Sequence, residues 1–125
     1  MKNGILKSSL ATLTLVATTL TGAPAARASA VESSTVVDLT IEGTQSARVA
    51  LSTPVESKGR PTCHVAAYFS HYAFDISTAK GKALFSALQA AQLSGKKVSI
   101  VGQFACTDLG NGVVIETLGT LTLWT

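Results

Sequence analysis

Residues 75–106 read DISTAKGKALFSALQAAQLSGKKVSIVGQFAC, and a change of period inside this run decides the fold. Asp75, Ser77 and Thr78 are helix-start residues, and the stretch from Ala79 to Leu93 is rich in the helix formers Ala, Leu, Gln and Lys. Leu84, Ala87, Leu88 and Ala91 recur at helical spacing, with Phe85 beside them, so one face is apolar. Gly81 is a mild cost in the first turn, while Gly95 stands where a left-handed cap closes the helix. Beyond the cap the period drops to two. Val98, Ile100, Gly102 and Phe104 alternate with Ser99, Val101 and Gln103, giving a strand that delivers Cys106.

Upstream, the same alternation marks three strands. From Val36 to Glu42, Val37, Leu39 and Ile41 share the expected inner face, with Asp38, Thr40 and Glu42 outward. Val49 and Leu51 mark the second strand. Cys63 to about Ser70 is expected to form the third, with Cys63, Val65, Ala67 and Phe69 inward. Pro54, Gly59 and Pro61 make residues 53–62 a loop. Downstream, Gly110-Asn111-Gly112 turns the chain into a last strand, Val113 to about Trp124. The predicted order is β-β-β-α-β-β: a mainly β domain with one helix, matching the five-stranded OB-fold barrel. The last strand is apolar on both sides, with Ile115, Leu121 and Leu123 on one and Val114, Leu118 and Trp124 on the other. Either the second side meets a subunit or partner, or the register breaks near Gly119 and turns it inward.

The first residues read as an export leader. Lys2 and Lys7 are positive, Leu10 to Leu20 is a short apolar run, and Ala28-Ser29-Ala30 offers small residues where a signal peptidase reads them. We therefore expect a signal peptide over residues 1–30, a single domain over 31–125, and a secreted or periplasmic location. The run is too short for the ~20 apolar residues that span a bilayer, and no later segment suits a membrane span. Lys2, Lys7 and Arg27 fall in the leader, so ten basic residues become seven, balanced by seven acidic ones. No basic stripe is left for electrostatic nucleic-acid binding.

Export also settles the cysteines. Cys63 and Cys106 have only each other in an oxidising compartment, and a disulfide between them is expected. His64 and His71 are the candidate catalytic groups, but His64 is expected to face away from Cys63, and both read better as surface or rim histidines. Asp38 and Glu42 share a strand face about 13 Å apart, too far for a carboxylate pair at one glycosidic bond. No metal-ligand spacing, phosphate loop or cofactor motif stands out. The expectation is a non-enzyme without cofactor or metal, with Ser33, Ser34, Asp38, Tyr68 and Tyr72 as polar and aromatic contacts for a ligand.

The run Tyr72 to Thr78, then Gly81 to Leu88, then Ser94 to Val98 and on to Gly102 and Cys106, resembles the helix-and-strand core of bacterial exported proteins similar to the subtilase cytotoxin B subunit. Those proteins are related in fold to pertussis-like AB5 toxin B subunits. The resemblance covers about Cys63 to Cys106 and consists mostly of scaffold residues. It implies an OB-fold, a ring of five subunits, a toxin A subunit as partner, and recognition of host glycans, often sialylated. The alternative is an exported structural or inhibitory protein that binds another protein through its C-terminal strand.

Overall fold

The computed structural model describes residues 28–125. The leader expected over residues 1–30 thus lies outside the described residues, except for Ala28, Ser29 and Ala30. The elements run β1 (Ala30–Glu42), β2 (Ser46–Leu51), a 3-10 turn (Ala66–Tyr68), β3 (His71–Asp75), α1 (Ala79–Ser94), β4 (Lys97–Asp108) and β5 (Val114–Leu123). The strands lie in the order β1-β2-β3-β5-β4, and β4 pairs back onto β1, so the sheet closes into a barrel. All neighbours are antiparallel except β3 and β5, which meet in parallel through the single pair Ala73 and Thr117.

The helix forms as its sequence dictates. Thr78 Oγ1 accepts from the Gly81 N–H at 3.0 Å, and Gly95 ends the helix at φ 70°. Leu88 and Ala91 are buried, and Leu84 and Phe85 pack against the core beside Leu39, Ile76 and Leu121. Gly81 is no mere cost. A Cβ there would overlap the carbonyl oxygen of Asp75, so glycine lets the first helical turn sit against the end of β3. Asp75 itself closes the preceding turn, its Oδ1 accepting from the Ser77 N–H at 2.7 Å and the Ser77 hydroxyl at 2.6 Å. Those two bonds hold its carboxyl below the ordinary value.

Three expectations fail. The third strand is not Cys63 to Ser70: that segment is turn and 3-10 structure, and β3 is His71–Asp75. Tyr72 and Phe74 alternate inward there with large β-forming rings, a stronger signal than the small residues before them. The orientation of Cys63 and His64 consequently inverts, with Cys63 exposed and His64 only 5% exposed. Finally, β1 starts at Ala30, and it carries irregularities between Val31 and Ser34 and between Val36 and Asp38. Each extra residue shifts the alternation. Val37 falls in the second irregularity and is exposed, whereas Val36 is buried opposite Leu51. Ile41, opposite Ala47, is also exposed and lines a hollow with Ile76, Lys82 and Phe85.

The expected disulfide is present, with the Cα atoms of Cys63 and Cys106 6.2 Å apart. It ties β4 to the connection ahead of β3, not to a strand. The register of β5 breaks at Gly119, the second of the two alternatives for that strand: Val101 faces Thr120 while Gly102 faces Leu118, leaving Gly119 as the extra residue. Ile115, Glu116 and Leu118 are buried as a result, and only Leu123 and Trp124 remain about half exposed. No helix among the described residues is long and apolar enough to cross a membrane.

Candidate binding surface

The connection from β2 to β3 is long, and loops of more than about 12–15 residues without structure of their own are commonly functional. This one is well anchored. Val55 is buried in the core, and its N–H donates to the Phe69 carbonyl at 2.7 Å. The Arg60 guanidinium donates to the Val55 carbonyl at 2.7 Å and stacks 3.4 Å from the Phe69 ring centroid. His64 crosses Phe69 edge-on at 5.6 Å. Its Nδ1 accepts from the Glu116 N–H at 3.4 Å, and its Nε2 donates to the Tyr68 carbonyl at 2.6 Å. That pattern fixes the neutral tautomer. Burial, the largest effect, holds His64 below its ordinary pKa despite the Tyr68 carbonyl and Glu116.

This scaffold presents Tyr68 to the outer face of β1, β2 and β3. Pairing puts Asp38, Ala50 and His71 in one cross-strand row and Thr40, Arg48 and Ala73 in the next. Both rows point away from the core face of Val49, Leu51, Tyr72 and Phe74. The Arg48 guanidinium lies 5.4 Å from the centre of the Tyr68 ring, and His71 meets the same ring edge-on at 5.1 Å. Arg48 Nε also donates to Glu42 Oε1 at 2.6 Å. Ala50 and Ala73 lie between the larger side chains and are buried beneath them. Burial first, then the charge of Arg48, holds His71 below its ordinary pKa against the pull of Asp38. A half-buried aromatic ring, guanidinium and imidazole therefore share the outer face with two carboxylates, of which Asp38 is exposed and Glu42 half-buried.

Of the expected contact residues, Asp38 and Tyr68 come together here. Tyr72 does not reach the surface: it is fully buried, and its hydroxyl lies 2.8 Å from Ser29 Oγ. Burial pushes its pKa up to about 12, with the Ser29 bond opposing the shift and Glu116 adding to it. Ser34 is buried too, its hydroxyl 3.0 Å from that of Ser52. Ser33 sits at φ 54° in the irregularity of β1, with its N–H on Ser99 Oγ at 3.2 Å. The sequence reading missed Arg48 and His71 as contacts, although Arg48 stands outward on its strand in the predicted pattern. Among the described residues, no group of three or more His, Cys, Asp or Glu side chains is placed to hold a metal ion.

Comparison with known proteins finds no matching family model, curated protein or solved structure.

Proposed function

We propose that the chain is an exported, non-enzymatic binding module of the OB-fold type, and that its ligand is a glycan held on the outer face of β1 to β3. The antiparallel order with one parallel closure between β3 and β5, and a helix between β3 and β4, supports the OB-fold assignment. In such barrels the face of strands two and three is a common site for oligosaccharides. The observation that carries the reading is the cluster of half-buried Tyr68, Arg48 and His71 beside the exposed Asp38 on that face. A sugar offers C–H groups to an aromatic ring and hydroxyls to a carboxylate or imidazole. An acidic sugar adds a carboxylate for Arg48, which favours the sialylated class that the B-subunit resemblance suggests. A catalytic reading has little support, because both nitrogens of His64 are engaged by backbone groups.

The test is a glycan array probed with the oxidised protein, followed by Tyr68→Ala and Arg48→Ala. Binding to acidic glycans, weakened at least tenfold by either change, supports the proposal. Silence across sialylated and neutral glycans refutes it. The second reading, a protein contact through the C-terminal strand, draws on the half-exposed Leu123 and Trp124 beside a hollow of about 360 Å³. Trp124→Ala separates the two, since it leaves glycan binding intact and alters the solution mass only if that strand forms an interface.

A further inference from the structure

Ser29 is an unusual residue to find at a leader junction, because it is fully buried. Its hydroxyl bonds to Tyr72 at 2.8 Å and donates to Glu116 Oε1, and its carbonyl accepts from the Gly102 N–H at 2.9 Å. The next residue, Ala30, pairs with Val101 and accepts from the Glu56 N–H at 3.3 Å. A cut after Ala30 would remove both residues from the barrel. The buried polar group they serve would then lose its centre.

Glu116 is the second observation. Its side chain is fully buried, and its oxygens accept from the Ser29 hydroxyl and from the Phe104 N–H at 3.0 Å, both neutral donors. Among the described residues the only side-chain ion pair is Arg48 with Glu42, so no described side-chain cation pairs with this carboxylate. Buried charges are ordinarily paired. The Ser29 nitrogen is three covalent bonds from its own hydroxyl, hence within about 4 Å of it. An α-ammonium at that nitrogen would bring a positive charge to Glu116. The sequence permits it, because Ala26-Arg27-Ala28 has small residues at the two positions that matter, as does Ala28-Ser29-Ala30.

We propose that the leader is cut between Ala28 and Ser29, making Ser29 the mature N-terminus with its α-ammonium paired to the buried Glu116 carboxylate. The reaction is amide hydrolysis by a membrane-bound endopeptidase. Water adds across the Ala28–Ser29 bond, which breaks: its oxygen ends in the Ala28 carboxylate, and both its protons end on the Ser29 nitrogen as an ammonium. The proposal rests on the reading of residues 1–28 as an export leader.

N-terminal sequencing and intact mass of the exported protein test it directly. A chain beginning at Ser29 is expected. A start at Val31, or at Ala26 after the alternative Ala23-Pro24-Ala25 site, overturns this cut while leaving export standing. An exported chain of full length overturns the cut together with the reading of residues 1–28 as a cleaved leader. The pairing is tested separately by titrating the α-amine by NMR in protein beginning at Ser29. An α-amine ordinarily titrates near 7.7–8.0, and here it should titrate higher and return to that range in Glu116→Gln. An ordinary value in the unsubstituted protein refutes the ion pair.

Discussion

Replacing the buried Gly102 with alanine should be far more damaging than the addition of one methyl group to a strand suggests. Its backbone lies outside the left-handed region, so alanine is conformationally acceptable. The obstruction is a side chain: a Cβ at Gly102 would overlap the carboxylate of Glu116. That carboxylate is held by the Ser29 hydroxyl and the Phe104 N–H, and it has no solvent to retreat into. Hydrogen bonds to a charged group contribute about 1.5–3 kcal/mol each, so displacing the carboxylate from one or both costs about 2–5 kcal/mol. A domain of this size has only about 5–15 kcal/mol in total. Glu116→Ala costs a comparable amount, by leaving buried donors without an acceptor. The double variant should be barely worse than Glu116→Ala alone, because the new methyl then enters vacated space. Urea unfolding of all four proteins, followed by far-UV circular dichroism, gives the coupling, expected to match the Gly102→Ala loss of about 2–5 kcal/mol. Additive losses, within about 0.5 kcal/mol, would show that Gly102 and Glu116 do not share that space, and would refute the reasoning.

Two further outcomes follow from other parts of the barrel. Replacing Cys63 and Cys106 together by serine opens a loop of 43 positions, which the chain-entropy model values at ~4 kcal/mol. Calorimetry should show the melting temperature falling by roughly 15–30 °C, and a fall of under about 5 °C would contradict it. The second concerns pH. His64 and His71 are both held below their ordinary value of 6.5, so the unfolded chain takes up protons first as the pH falls. Their contribution is complete above about pH 6.5 and declines below it, down to their folded-state pKa values. His64→Gln should flatten this decline in denaturant midpoints measured from pH 7.5 to 4.5. An equally steep decline in the variant would assign the acid sensitivity elsewhere.

What could be read from the chain followed the strength of each local signal. Helix α1 was legible because its cap, its apolar face and its terminal glycine all agree. The element order and the cysteine pairing were legible too, whereas the break near Gly119 was one of two readings the last strand allowed. The third strand was not. Val65, Ala67 and Phe69 imitate a strand by alternation, yet their backbone is satisfied by turns and by Val65 donating to the Val114 carbonyl. In β1, the extra residues between Val31 and Ser34 and between Val36 and Asp38 shift the faces, and alternation alone does not reveal where a strand gains a residue. Tyr72 shows the limit for sites. Residue type marks it as a sugar contact, but only the placement of β3 shows that its ring fills the core.

The same misplaced segment explains how a small barrel holds the Tyr68 ring steady. Tyr68 belongs to the connection, not to a strand, and such a residue would ordinarily move with its loop. Here the Glu116 backbone N–H, within β5, donates to His64, and His64 donates in turn to the carbonyl of Tyr68 itself. Arg48 and His71 then contact the Tyr68 ring from the rigid strands β2 and β3. The neutral imidazole is what makes this link work, since a proton on Nδ1 would turn the acceptor for Glu116 into a competing donor. Burial therefore does two things at once: it keeps His64 neutral, and it fixes the Tyr68 ring in advance, the order that the proposed glycan contact would otherwise have to supply.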